Sequence, residues 1–117
     1  MIKNKTGVWG EIYAVRYLRD NGYRILNTNY VCRFGELDIV AENDGKVCFI
    51  EVKTRNVNTE TEPKEAVDAG KIGRLRQTAK SFLLYAKMIS ETRFDVCEVW
   101  VDDQNKLVRI NYITDAF

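Results

Sequence analysis

Apolar positions recur at helical spacing from Gly7 to Asp20, where Val8, Ile12, Val15 and Leu18 share one side. Asn21-Gly22 follows as a stop where the chain can turn left-handed. From Tyr23 to Tyr30, Tyr23, Ile25 and β-branched flanks suit a half-buried strand interrupted by polar Asn27-Thr28-Asn29. Glu36 to Asn43 and Lys46 to Arg55 then alternate in character around Asp44-Gly45, the dipeptide of a two-residue type I′ hairpin. That turn sets a register in which Asn43 faces Lys46, Asp38 stands opposite Glu51 and Glu36 opposite Lys53. Because side chains alternate along a strand, all four would lie on one face, and a slip of one residue would scatter them.

Asn56 to Glu62 is polar and aperiodic, which reads as a mobile loop ending where Pro63 can open a short helical turn. Lys71 to Ile89 carries the strongest helical pattern. Ile72, Leu75, Ala79, Phe82, Leu83, Ala86 and Ile89 form its stripe, and Lys71, Arg74, Gln77 and Lys80 make its other side basic. Phe94 to Val101 and Leu107 to Ile113 alternate as two further strands around the polar turn Asp102 to Lys106. With no repeat, low-complexity tract or linker, residues 1–117 are expected to form one domain.

Composition agrees with a single core: 117 residues are 45% hydrophobic and 30% charged, enough to bury roughly two thirds of the unfolded surface without disulfide staples. The chain has no histidine, which removes Ser-His and Cys-His nucleophiles, imidazole acid-base work and nearly all zinc catalysis. Chemistry must therefore come from carboxylates, lysine and a hard metal. Cys32, Cys48 and Cys97 are odd in number and far apart, so they read as reduced thiols in a cytosol. Met1 to Gly10 has no signal-peptide core, and the longest apolar run, Phe82 to Ala86, is too short to span a bilayer. A cytoplasmic protein without membrane contact is expected.

Charge is segregated although the net charge is only +1. Residues 1–35 hold 6 bases and 2 acids, residues 36–68 hold 4 bases and 9 acids, and residues 69–90 hold 5 bases and no acid. An acidic cluster between two basic segments could be a set of solvated faces, so its meaning depends on what the acids surround. Opposed carboxylates such as Asp38 and Glu51 repel, and a divalent cation is their natural compensation: Mg²⁺ takes hard oxygen ligands and is commonly held by one or two carboxylates plus phosphate. Lys53, two residues beyond Glu51, could orient a metal-bound water and neutralise charge on a phosphate. Alone, an acid followed by E-x-K is a weak signal. Here it sits between a helix carrying Glu11 and a basic helix.

This ordering resembles the restriction-endonuclease-like superfamily, the PD-(D/E)xK nucleases. The whole chain from Gly7 to Phe117 resembles the YraN-like family within it, small bacterial proteins related to the archaeal Holliday junction resolvases. The resemblance rests on Gly7-Val8-Trp9-Gly10-Glu11 with Ala14 and Leu18, Asn29, Gly35-Glu36-Leu37-Asp38-Ile39-Val40-Ala41 and Phe49-Ile50-Glu51-Val52-Lys53-Thr54-Arg55. Pro63, Ala66-Val67, Lys71, Arg74-Leu75 and Arg93-Phe94-Asp95-Val96 complete it, while Glu62 departs from the glycine often found before the proline. It implies an α/β fold whose core is a helix, three strands, a helix and a strand, extended by a C-terminal strand, with a mixed central sheet flanked by helices. It further implies that Asp38, Glu51 and the Val52 carbonyl hold Mg²⁺ or Mn²⁺, that Lys53 serves the water, and that Glu11 completes the catalytic set.

Each residue has a plainer alternative. Glu11 could be a solvated helix carboxylate, although it borders the apolar stripe, and Glu36 could simply hold Lys53 across the strands. Arg33 and Arg55 are solubility charges or phosphate contacts, as are Lys71, Arg74 and Lys80 on the basic helix. Trp9 and Trp100 read as core or interface residues. Three functions compete: a metal-dependent endonuclease on structured DNA, such as a junction; a nucleic-acid-binding module without turnover; and an assembly partner using its acidic face. The sequence leaves a homodimer open.

Overall fold

The computed structural model describes residues 5–59 and 69–117, so the Pro63 turn and the far part of the expected loop lie outside the described residues. Helix α1 spans Lys5–Asp20, followed by strands β1 (Arg24–Cys32), β2 (Gly35–Asn43) and β3 (Lys46–Asn56), helix α2 (Ala69–Ala86), and strands β4 (Glu91–Val101) and β5 (Leu107–Ile113). The strands form one sheet in the order β1-β2-β3-β4-β5. Neighbours are antiparallel except β3 and β4, which run parallel and are joined through α2. The expected mixed sheet flanked by helices is therefore present.

Alternation along the central strands divides the apolar residues between two faces. Ile39, Ala41, Cys48 and Ile50 pack with Ala14 and Leu18 of α1, and Val40, Val47 and Phe49 pack with Leu75, Ala79 and Phe82 of α2. Helix α1 lies very close to the sheet: a Cβ placed on Gly10 would fall 1.8 Å from Thr54 Oγ1 on β3. Both helices end in the same device. After α1, Tyr23 N–H reaches Leu18 O and Gly22 N–H reaches Arg19 O; after α2, Met88 N–H reaches Leu83 O and Lys87 N–H reaches Leu84 O. Lys87, at φ 55°, takes the left-handed position usually given to glycine. The second helix thus ends at Ala86 and not at Ile89, which is fully exposed beyond it.

The hairpin turn is as expected, with Asp44 at φ 54° and Gly45 at φ 75°, and its ladder runs from Asn43↔Lys46 to Ile39↔Ile50. There it stops. Beyond Ile39, among the described residues, strand β2 keeps only β1 as a ladder neighbour, while β3 continues beside β4 as far as Asn56↔Val101. Asn56, expected in the loop, is therefore the last residue of β3. On β1, Asn29 adopts φ 55° inside the strand. Thr28 before it pairs with Ile39, which faces α1, whereas Tyr30 after it pairs with Leu37, which faces α2. The left-handed residue exchanges the two faces of the outer hairpin, a local reversal that strict alternation could not anticipate.

On β4, fully buried Asp95, the ladder partner of Ile50, is enclosed by four donors: Arg93 Nε at 2.9 Å and Nη2 at 2.8 Å, Tyr112 Oη at 2.6 Å, and Asp115 N–H at 2.9 Å. Burial and the carboxylate it donates to hold the Tyr112 phenol far above its ordinary pKa. Trp100 is buried with the Arg109 guanidinium 4.3 Å from its ring centroid, and Trp9 stacks on Tyr13 at the surface. Among the described residues no helix is long and apolar enough to cross a membrane.

The packing of α1 on β3 gives a direct test. Gly10→Ala should cost about 1–3 kcal/mol in urea unfolding, the usual range for overpacking. Thr54→Ala in the same chain should recover part of that cost by removing the oxygen that lies nearest. An unchanged urea midpoint in Gly10→Ala would show that the helix has room to move away.

Candidate active site

Two strands that separate after a tight ladder leave backbone donors and side chains facing a wedge, and this wedge collects the acids. Asp38, just past the last β2–β3 pair, accepts the Val52 backbone N–H on Oδ2 at 2.8 Å. The carboxylate thus takes the place of the ladder bond that β2 no longer supplies. Asp38 and Glu51 line one cleft of about 410 Å³ with Val52, Lys71 and Arg74. They do not stand opposite each other in a ladder, as the register set by the turn would require; they meet because the ladder has ended.

The electrostatics agree with this proximity. Burial pushes the Glu51 carboxyl above its ordinary value and the Asp38 charge pushes it further, while Lys71 and Lys53 pull it back. Lys71 Nζ lies 3.4 Å from Glu51 Oε1. The expected phosphate-binding lysine is thus half-buried in the cleft and paired with an acid. Lys53 is also half-buried, on the strand segment that pairs with Glu98 of β4.

Other expected site residues are distributed differently. Glu11 is 9% exposed and accepts Asn29 Nδ2 at 2.9 Å on Oε1. It lies in a neighbouring cavity of about 790 Å³ between α1 and β1, not among the residues lining the Asp38–Glu51 cleft. Glu36 lines both cavities. It lies just beyond the face exchange, where no backbone ladder joins β2 to β3, so the expected cross-strand register between Glu36 and Lys53 is not formed. Arg55 is only 6% exposed, with Nε 3.5 Å from Glu98 Oε2, and Glu98 also accepts Asn111 Nδ2 at 2.8 Å. That burial removes Arg55 from the set of phosphate contacts. Arg33, in the β1–β2 turn with its guanidinium 4.7 Å from the Phe34 ring centroid, and Arg74 and Lys80 on α2 remain exposed.

Among the described residues no three acidic or cysteine side chains converge to hold a metal by themselves. Two carboxylates beside a backbone carbonyl, with room for solvent and phosphate, nonetheless suit a hard ion that retains water ligands. Asp38, Glu51 and the Val52 carbonyl could hold such an ion, and Lys71 could serve as Glu51's counter-charge without it. The α1–β1 cavity is invisible to sequence patterning because nothing tells Asn29, which is left-handed, from Asn27, which is not, in the polar Asn27-Thr28-Asn29 stretch of β1.

The raised Glu51 pKa has a signed consequence. A carboxyl that binds its proton more tightly when folded contributes stability below its unfolded value, near 4.5, and that contribution disappears as pH rises through the folded value. Glu51→Gln should therefore melt above wild type at pH 7 in metal-free buffer, with the difference closing by about pH 4. A variant melting below wild type at pH 7 would mean that the Lys71 ion pair outweighs burial and the Asp38 charge.

Residues 10–99 match the family model described as Uncharacterised protein family UPF0102. A UPF0102 protein of Syntrophomonas wolfei is 42% identical over 120 residues, covering 99% of this chain and 100% of its own length. One from Moorella thermoacetica is 42% identical, covering 100% and 98%, and one from Clostridium acetobutylicum is 39% identical, covering 99% and 96%. Similarity of this depth from end to end means that the chain belongs to uncharacterised protein family UPF0102, the YraN-like family that its motifs resemble.

Proposed function

We propose that the protein is a metal-dependent endonuclease with a restriction-endonuclease-like core, hydrolysing phosphodiesters of structured DNA, including junctions, in the bacterial cytosol. The observation that carries this reading is the meeting of Asp38 and Glu51 in a cleft walled by cations, where strands β2 and β3 part. The element order and the placement of a helix on each sheet face support it. Mg²⁺ or Mn²⁺ bound to Asp38, Glu51 and the Val52 carbonyl would neutralise phosphate charge and acidify water. Lys53 would orient the attacking water and stabilise charge developing on the phosphate. Arg33, Arg74 and Lys80 are exposed to contact flanking phosphates.

A binding module without turnover is the second reading. The Lys71–Glu51 ion pair favours it, because a lysine already offsets one acid of the two. Titration of Mg²⁺ and Mn²⁺ with duplex, flap and four-way-junction DNA separates the two readings. Mn²⁺ binding should appear in wild type and disappear in Asp38→Ala and Glu51→Ala. Lys53→Ala should keep metal and DNA binding but cleave roughly two to three orders of magnitude more slowly, as befits a group acting mainly in the transition state. Equal cleavage by Lys53→Ala would refute the mechanism, and DNA binding without cleavage under any condition would favour the module.

Phosphate binding is tested separately by replacing Arg33, Arg74 and Lys80 together with alanine. Affinity should fall uniformly across DNA sequences, and the salt dependence should flatten by about one unit of slope for each phosphate that is no longer neutralised. An unchanged slope would make these residues a solvated face.

A further inference from the structure

The larger cavity, between α1 and β1, has a chemistry that the hydrolytic reading does not use. Its volume of about 790 Å³ lies within the roughly 300–1,000 Å³ of small-molecule sites. Val8, Ile12 and Val15 from α1 and Val31 from β1 supply apolar walls. Glu11 is the buried polar group, oriented by the Asn29 amide that the left-handed backbone of β1 turns toward it. Glu36 is shared with the carboxylate cleft, so the two cavities adjoin.

This lining selects against a sugar-phosphate backbone. Glu11 and Glu36 would repel a phosphate in the less exposed part of the cavity, where the apolar walls accept a flat, uncharged ring, while exposed Arg16, Arg19 and Asp20 complete the lining. An ionised carboxylate only accepts hydrogen bonds, and the exocyclic amino group of a nucleobase is a suitable donor, as in carboxylate readout of cytosine N4. Arg16 and Arg19, one helical turn apart on α1, are exposed members of that lining and suit the phosphates that flank such a base.

The geometry points to a subsite for one unpaired, amino-bearing nucleobase of the DNA strand whose phosphate lies at Asp38 and Glu51. This rests on the nuclease reading and extends it to the substrate: DNA with an unpaired nucleotide beside the scissile phosphate. A paired base would first have to leave its stack, at a cost of a few kcal/mol that an unpaired base avoids. Glu11 then reads the base.

The test is fluorescence anisotropy of the full-length protein in Ca²⁺. The DNAs are identical duplexes carrying one unpaired cytosine, one unpaired thymine, one abasic residue or no interruption. The unpaired cytosine should bind about tenfold more tightly than the thymine or the abasic residue, the scale of one good base contact. Glu11→Ala should erase the cytosine-over-thymine preference. Val31→Lys, at a position 63% exposed and so tolerant of substitution, should erase it by setting a flexible cation over the cavity acids. Both variants are read as a ratio of affinities in protein that melts cooperatively, so a change in overall DNA affinity does not mimic the result. Equal affinities for cytosine and abasic DNA in wild type would overturn the subsite and leave the nuclease reading standing. A preference that persists in both variants would also overturn it. Wild type binding none of these DNAs would overturn both.

Discussion

The separation of β2 from β3 after Ile39 and Ile50 is the constraint on which the rest of the site depends. A regular ladder would have fixed Asp38 opposite Glu51 at cross-strand distance and satisfied the Val52 N–H through backbone, leaving no cavity. Once the strands part, that N–H needs an acceptor and the Asp38 carboxylate supplies one. The hydrogen bond orients the acid, and the wedge gives it volume. β3 can leave β2 and stay ordered because β4 pairs with it along its entire length, from Lys46↔Glu91 to Asn56↔Val101. The parallel pairing thus carries the strand that presents Glu51, Val52 and Lys53.

Those residues occupy an interior strand, and the alternating pattern there acquires a second meaning. Phe49, Glu51, Lys53 and Arg55 follow one another on one face, passing from apolar under α2 to charged beyond it. Glu51 meets Lys71, and Arg55 meets Glu98 with Asn111 behind it. A row of ionisable groups is tolerable in a sheet interior because opposite charges are available from α2 and β4. The basic segment of α2 and the acidic character of β4 serve partly to neutralise β3.

Much of this was legible in the sequence. The Asp44-Gly45 turn fixed the register, and the helical stripes named the residues that face the sheet from each side. What was not legible came from backbone events that composition does not encode. Lys87 ends a helix with a left-handed residue that is not glycine, which leaves Ile89 outside the stripe whose spacing it matches. Asn29 inverts the hairpin faces within a strand, moving Glu36 toward α1. The burial of Arg55 depended on knowing that β4 lies beside β3, a neighbour relation set by chain crossover and not by local pattern.

The mix of local and distant pairings also orders the site in time. The hairpin of β2 and β3 closes through two residues, while the β3–β4 pairing and the arrival of α2 require a long segment to be folded back. Local pairings of this kind form early because they close short loops. A chain that closes this hairpin first holds the two acids of the cleft beside Lys53 of β3, before α2 brings Lys71 to Glu51. Helix α2 completes the electrostatics of the site as well as its wall.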